Sequence, residues 1–102
     1  MTEQTTETRT RPADYPRRIL LAVTGLSPQV VTETLYALTQ ELDPAFVPSE
    51  IHLITTAEGA DFARHMLLDP DDGRYFQLCQ EHGLDAARIG FDESRIHVIS
   101  RA

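Results

Sequence analysis

Ile19-Leu20-Leu21-Ala22-Val23-Thr24-Gly25-Leu26-Ser27-Pro28-Gln29-Val30-Val31-Thr32-Glu33-Thr34-Leu35 is the stretch that decides the fold. Its first five residues are an unbroken apolar run. That length suits a strand and is too short for a buried helix; a continuous run predicts burial on both faces, as in a parallel sheet covered by helices. Thr24-Gly25 breaks the run. Ser27 is a good helix N-cap, and Pro28 sits where a first-turn proline belongs. Val31, Leu35, Leu38 and Leu42 then recur at helical spacing, which predicts an amphipathic helix from Pro28 to Leu42. Asp43-Pro44 ends it.

The same alternation continues. Ile51–Thr55 reads as a second strand and Glu58–Leu68 as a second helix, with Ala60, Ala63 and Leu67 on one face. Asp69-Pro70-Asp71-Asp72-Gly73 is a turn. A third helix spans Arg74–His82 and stops at Gly83, a natural C′ residue. Ile96–Ser100 is the third strand. The order β-α-β-α-α-β predicts an α/β, Rossmann-like fold: a parallel sheet with flanking helices and right-handed crossovers. No helix follows the third strand, so an apolar sheet edge is expected to stay open. Residues 18–102 therefore read as the N-terminal half of a larger doubly wound domain, truncated to its first three strands, or as a domain completed by a partner.

Residues 1–17 read as a disordered leader. They are rich in Thr, Glu and Arg, with Tyr15 the only aromatic, and bury too little apolar surface to offset their ordering entropy. The 102 residues allow one domain at most. A formal charge of −7 argues against a nucleic-acid coat or polybasic membrane anchor, so neither membrane nor direct DNA binding is expected. No apolar run approaches a membrane span, and the N-terminus lacks a signal-peptide core. The single cysteine, Cys79, excludes an internal disulfide framework and a multi-cysteine zinc site; a reducing cytoplasm is the simplest location.

Ligands of open α/β sheets bind beyond the carboxyl ends of the strands. Two such ends are rich in small polar residues. The first is Thr24-Gly25-Leu26-Ser27-Pro28-Gln29, where Gly25 permits a tight turn and close ligand approach. The helix N-terminus that follows offers N–H groups suited to phosphate, although Pro28 removes one. The Ser27 hydroxyl, the Gln29 amide and Thr32 add further groups for phosphate or ribose oxygens. The second end, Thr55-Thr56-Ala57-Glu58-Gly59, is expected beside it. Spacing alone leaves a plainer reading open, in which Ser27 only caps and Gly25 only turns.

Other motifs fail on their details. A nucleophile elbow needs glycine where Gln29 stands. A dinucleotide fingerprint needs three glycines and has only Gly25, and a Walker loop needs a lysine where the chain has none. The Asp69, Asp71, Asp72 turn puts glycine at position five of a calcium loop and Gln80 at position twelve, so it reads as a solvated turn. His52, His65, His82 and His97 show no ligand spacing and read as ordinary packed or surface histidines. Cys79 reads as core. No metal and no cofactor is expected.

The segment from Ile19 to Leu35 resembles the opening of a CRISPR-associated family in the CARF (CRISPR-associated Rossmann fold) group, which is grouped with ring nucleases. Leu53-Ile54-Thr55-Thr56-Ala57-Glu58-Gly59-Ala60, Leu78-Cys79 and Ile96-His97-Val98-Ile99 extend the resemblance, which runs from Arg18 to Ser100. The resemblance implies a homodimer with a two-fold pocket at the strand carboxyl ends. It implies that the pocket binds cyclic oligoadenylate, with cyclic tetra-adenylate the expected ring, as a messenger of type III CRISPR antiviral defence. Ser27 matches the first ligand-binding motif and is the implied catalytic position. Thr24, Gly25, Leu26, Pro28, Gln29, Thr32, Thr55, Thr56 and Glu58 are the implied ligand contacts.

Ring nucleases cut the messenger without metal, through its own ribose 2′-OH, whereas sensors bind it and relay the signal to a fused effector. A generic nucleotide-binding or structural α/β fragment is the reading outside the family. The family's later half carries a Gly-Gly-Arg-Lys type motif that contacts phosphates. This chain has no such motif and no lysine, so cleavage is expected of a complete protein rather than of this chain alone.

Overall fold

The computed structural model describes residues 11–99. Residues 1–10, most of the expected leader, lie outside the described residues, as does Ser100 at the expected end of the third strand. Within the described part of the leader, Pro12–Asp14 form a 3-10 turn. Arg17 makes a bidentate pair with Glu50, with Nε at 2.8 Å from Oε2 and Nη2 at 3.2 Å from Oε1.

Three strands form one parallel sheet in the order β1-β2-β3: β1 Ile19–Val23, β2 Glu50–Thr55 and β3 Ile96–Val98. Helix α1 is Gln29–Tyr36, α2 is Ala57–Met66 and α3 is Arg74–Glu81. The molecule is thus α/β and Rossmann-like, with helices flanking a parallel sheet. The register pairs Leu20 with Ile51, Ala22 with Leu53 and Leu53 with Ile96. These residues line the face that carries the helices. Ile51, Leu53 and Ile96 pack there with Val31 and Leu35 of α1, Ala60 and Ala63 of α2, and Tyr75 and Cys79 of α3. Cys79 is core, as expected.

The expectation that β1 is buried on both faces is corrected. Its burial alternates, leaving Ile19, Leu21 and Val23 44%, 58% and 70% exposed. The reason is topological. Two successive right-handed crossovers that step in the same direction place every connecting helix on one face of the sheet. The opposite face has no helix of its own among the described residues.

The first helix also differs from its expected outline. Ala37–Glu41 continues α1 as a π turn, closed by Leu42 N–H donating to the Ala37 carbonyl at 3.0 Å. The wider turn brings Thr39 to the core, where its hydroxyl donates to the Leu35 carbonyl at 2.8 Å. Leu42, expected on the apolar face, is turned outward and half exposed. At the end of α3, Gly83 has φ +69°, the left-handed conformation its C′ position requires.

Candidate functional site

The three strands end along one edge. Thr24 N–H donates to the Ile54 carbonyl at 3.0 Å, and Ile99 N–H donates to the Thr55 carbonyl at 2.9 Å, so the ladder runs one residue past the ends of β1 and β3. From Thr24 the chain crosses to α1, and from Thr55 it crosses to α2. The two crossings are clamped together. The Thr55 hydroxyl, 1% exposed, donates to the Gly25 carbonyl at 3.2 Å. Gly59, in the first turn of α2, has no space for a side chain, because the Thr55 hydroxyl and the Gly25 carbonyl occupy that place. The Thr56 hydroxyl caps α2 by accepting from Gly59 N–H at 3.0 Å. A cap, a clamp and a missing side chain thus fix the Thr24–Pro28 loop against the start of α2.

Two expectations about this loop are corrected. Ser27 does not cap α1 with its side chain. Pro28 holds the cap position in helical backbone geometry, and no side chain bonds to it. The Val30 N–H that a capping Ser27 hydroxyl would serve instead contacts the Ser27 carbonyl at 3.4 Å. Nor does Gly25 provide an unusual turn. Its φ is not positive, and a Cβ there would meet open space. The bare backbone at Gly25 is therefore not demanded by folding, whereas at Gly59 it is.

The remaining residues divide by exposure. Gly25, Leu26, Ser27, Gln29 and Glu58 are exposed; Pro28 and Thr55 are buried; Thr24, Thr32 and Thr56 lie between. Thr32 donates its hydroxyl to the Gln29 carbonyl at 3.0 Å. The Thr24 Oγ1 atom is buried without a hydrogen-bond partner among the described residues. Such an atom costs about 1–3 kcal/mol unless water or a ligand reaches it. None of the ten residues is basic, and Glu58 is the charged one. Among the described residues no group of three or more His, Cys, Asp or Glu is placed to hold a metal ion. An apolar groove of about 430 Å³ lies elsewhere, between Pro12, Leu21, Leu42 and Phe46, away from the strand ends.

The structure also joins residues that spacing did not connect. His52 and His97, read as ordinary histidines, meet across β2 and β3 with His52 Nδ1 2.9 Å from His97 Nε2. His52 Nε2 lies 2.9 Å from Glu50 Oε1. Glu50 and His52 are two apart on one strand, so they share a face, and that alternation was legible. The pairing with His97 needed the β2–β3 register, which places His97 beside Ile54.

These features define a Rossmann-like α/β domain whose polar, clamped loops lie at the carboxyl edge of a parallel sheet. The family comparison narrows this. Residues 27–102 match the model of CRISPR-associated protein NE0113, and the chain belongs to that CRISPR-associated family. No curated protein and no solved structure is significantly similar to it. No helix among the described residues is long and apolar enough to cross a membrane.

Proposed function

We propose that the carboxyl edge binds cyclic oligoadenylate, with cyclic tetra-adenylate the expected ring, in CRISPR antiviral signalling. The observation that carries the reading is the clamped loop. Gly25 is bare, exposed and free of any folding requirement, and Ser27 and Gln29 are exposed next to it. The resemblance of residues 19–35 to CARF ring nucleases supports the same ligand, and family membership supports the CRISPR setting. A symmetric ring would be held by two copies of the edge, hence by a homodimer.

Cleavage of the bound ring is proposed as well. The ribose 2′-oxygen attacks the adjacent phosphorus, its proton passes to water, and the bond to the 5′-oxygen breaks as that oxygen takes a proton from water. The products are a 2′,3′-cyclic phosphate and a 5′-hydroxyl. The protein's part is to align attacking and leaving oxygens and to stabilise charge on the phosphoryl oxygens. Ser27 and backbone N–H groups supply some of that. Cleavage should then persist in EDTA, and a ring with 2′-O-methyl riboses should bind without being cut. Loss of activity in EDTA with rescue by magnesium or manganese would contradict this mechanism, as would cleavage of the methylated ring.

One observation favours a second reading, a sensor that binds without cutting. None of the candidate residues is basic, so nothing among them neutralises a phosphate. On either reading, this chain alone is expected to bind the ring better than it cuts it.

A further inference from the structure

On the sheet face opposite the helices, Arg17, Glu50, His52 and His97 form one continuous hydrogen-bonded line. The Arg17 and His52 hydrogen bonds hold the Glu50 carboxyl down to about 2, so it is an anion at neutral pH and can only accept. The hydrogen between Glu50 and His52 therefore sits on His52 Nε2. A neutral His52 then has a bare Nδ1, which can only accept. The hydrogen in the 2.9 Å contact with His97 must come from His97 Nε2. A neutral His97 is left with a bare lone pair on Nδ1. The ring geometry agrees. The ring planes differ by 9°, and the 5.2 Å centroid separation exceeds the N···N distance by about two ring radii. The imidazoles thus meet edge to edge in nearly one plane, as an in-plane N–H···N bond requires, rather than face to face.

We propose that Glu50, His52 and His97 form an acid–base site in which His97 Nδ1 accepts a proton from a hydroxyl group or water on this open face. Nδ1 takes the proton, and the O–H electron pair stays on oxygen. The imidazolium so formed donates Nε2–H to His52, which donates Nε2–H to Glu50. A carboxylate behind an imidazole fixes its tautomer and ring orientation. Glu50 and His52 are positioning residues, and Arg17 holds Glu50. Two other features border the line. Leu21 and Val23 of β1 are exposed and apolar. Arg95, one residue before β3, pairs with Asp92 at 3.3 Å. His97 itself is exposed. The proposal rests on this geometry and not on the ligand assigned to the carboxyl edge.

Nitrogen-15 NMR of the imidazoles in the whole chain at neutral pH tests it. The expected spectrum has both rings protonated on Nε2, with a scalar coupling across His52 Nδ1 and His97 Nε2. Protonation of His97 on Nδ1, or absence of that coupling, would overturn the proposal. Diethyl pyrocarbonate then probes the bare nitrogen. His97 should react several-fold faster in the wild-type chain than in Glu50→Gln or His52→Phe, which break the hydrogen-bonded line behind its Nε2. A rate unchanged in both variants would refute it.

Discussion

Gly25 and Gly59 look alike in the sequence, each following a strand end, yet their roles are opposite. A Cβ at Gly59 would strike the Thr55 hydroxyl and the Gly25 carbonyl, one of which is backbone. Gly59→Ala should therefore destabilise the fold by about 1–3 kcal/mol, the usual cost of forcing atoms into a filled site. Gly25→Ala should change stability by no more than about 0.5 kcal/mol, since the added methyl meets nothing. It should nonetheless weaken binding of cyclic tetra-adenylate, because the methyl stands where a ligand would approach. Urea melts and calorimetry on both variants separate the two effects. Two glycines of equal stability cost would contradict the clamp. Spacing could not distinguish them, because the clash depends on a contact between loops more than 30 residues apart.

Ser27 follows the same logic. With no side-chain cap to lose, Ser27→Ala should leave stability within about 0.5 kcal/mol of wild type. If the hydroxyl meets a phosphate oxygen, ring affinity should fall by about 1.5–3 kcal/mol, roughly tenfold to a hundredfold. An unchanged affinity measured by calorimetry would show that Ser27 does not touch the ring. The sequence invites the capping reading because serine before proline and an apolar periodicity is a common helix start. The structure departs from it because Pro28 already has helical geometry at the cap.

At the scale of elements, most of the architecture was legible. All three strands and all three helices form where apolar runs and periodicity place them, with ends shifted by a residue or two, except that α1 ends at Tyr36 and runs on to Glu41 as the π turn, and that Ser100 lies outside the described residues. Local pattern carried that information. What it missed depends on how elements are arranged. An apolar run such as Ile19–Val23 looks the same whether one face is covered or both. Only the strand order and the common side of the crossovers expose Ile19, Leu21 and Val23. The π turn at Ala37–Glu41 was equally hidden, since it shifts which residues face the core without changing the apolar spacing.

The pairing of Arg17 with Glu50 ties the segment before β1 to the start of β2, and it is sensitive to acid. The hydrogen bond from Arg17 comes first in holding the Glu50 carboxyl at about 2 instead of its ordinary 4.5, and that from His52 comes next. A carboxyl held low in the folded state stabilises the fold above its ordinary value and loses that contribution as pH falls toward the lowered one. Thermal melts between pH 6 and pH 2 should therefore lose stability in the window from about 4.5 to about 2. Glu50→Gln should flatten that part of the curve. A variant with the same acid limb as wild type would mean that the pairing contributes nothing.

At the scale of the whole molecule, the sheet divides the work. One face carries the helices and the core, and the opposite face carries apolar β1 side chains beside the histidine line. The carboxyl edge between them carries the clamped loops. Family membership places this arrangement in a CRISPR-associated setting. The clamped edge is the binding site proposed for the ring. Amide NMR of this chain titrated with cyclic tetra-adenylate, beside the linear tetranucleotide, tests it most directly. Shifts should concentrate at residues 24–32 and 55–60 and be larger for the ring than for the linear form. The absence of any shift with the ring, or shifts centred on α3 or on the apolar groove near Leu42, would contradict it.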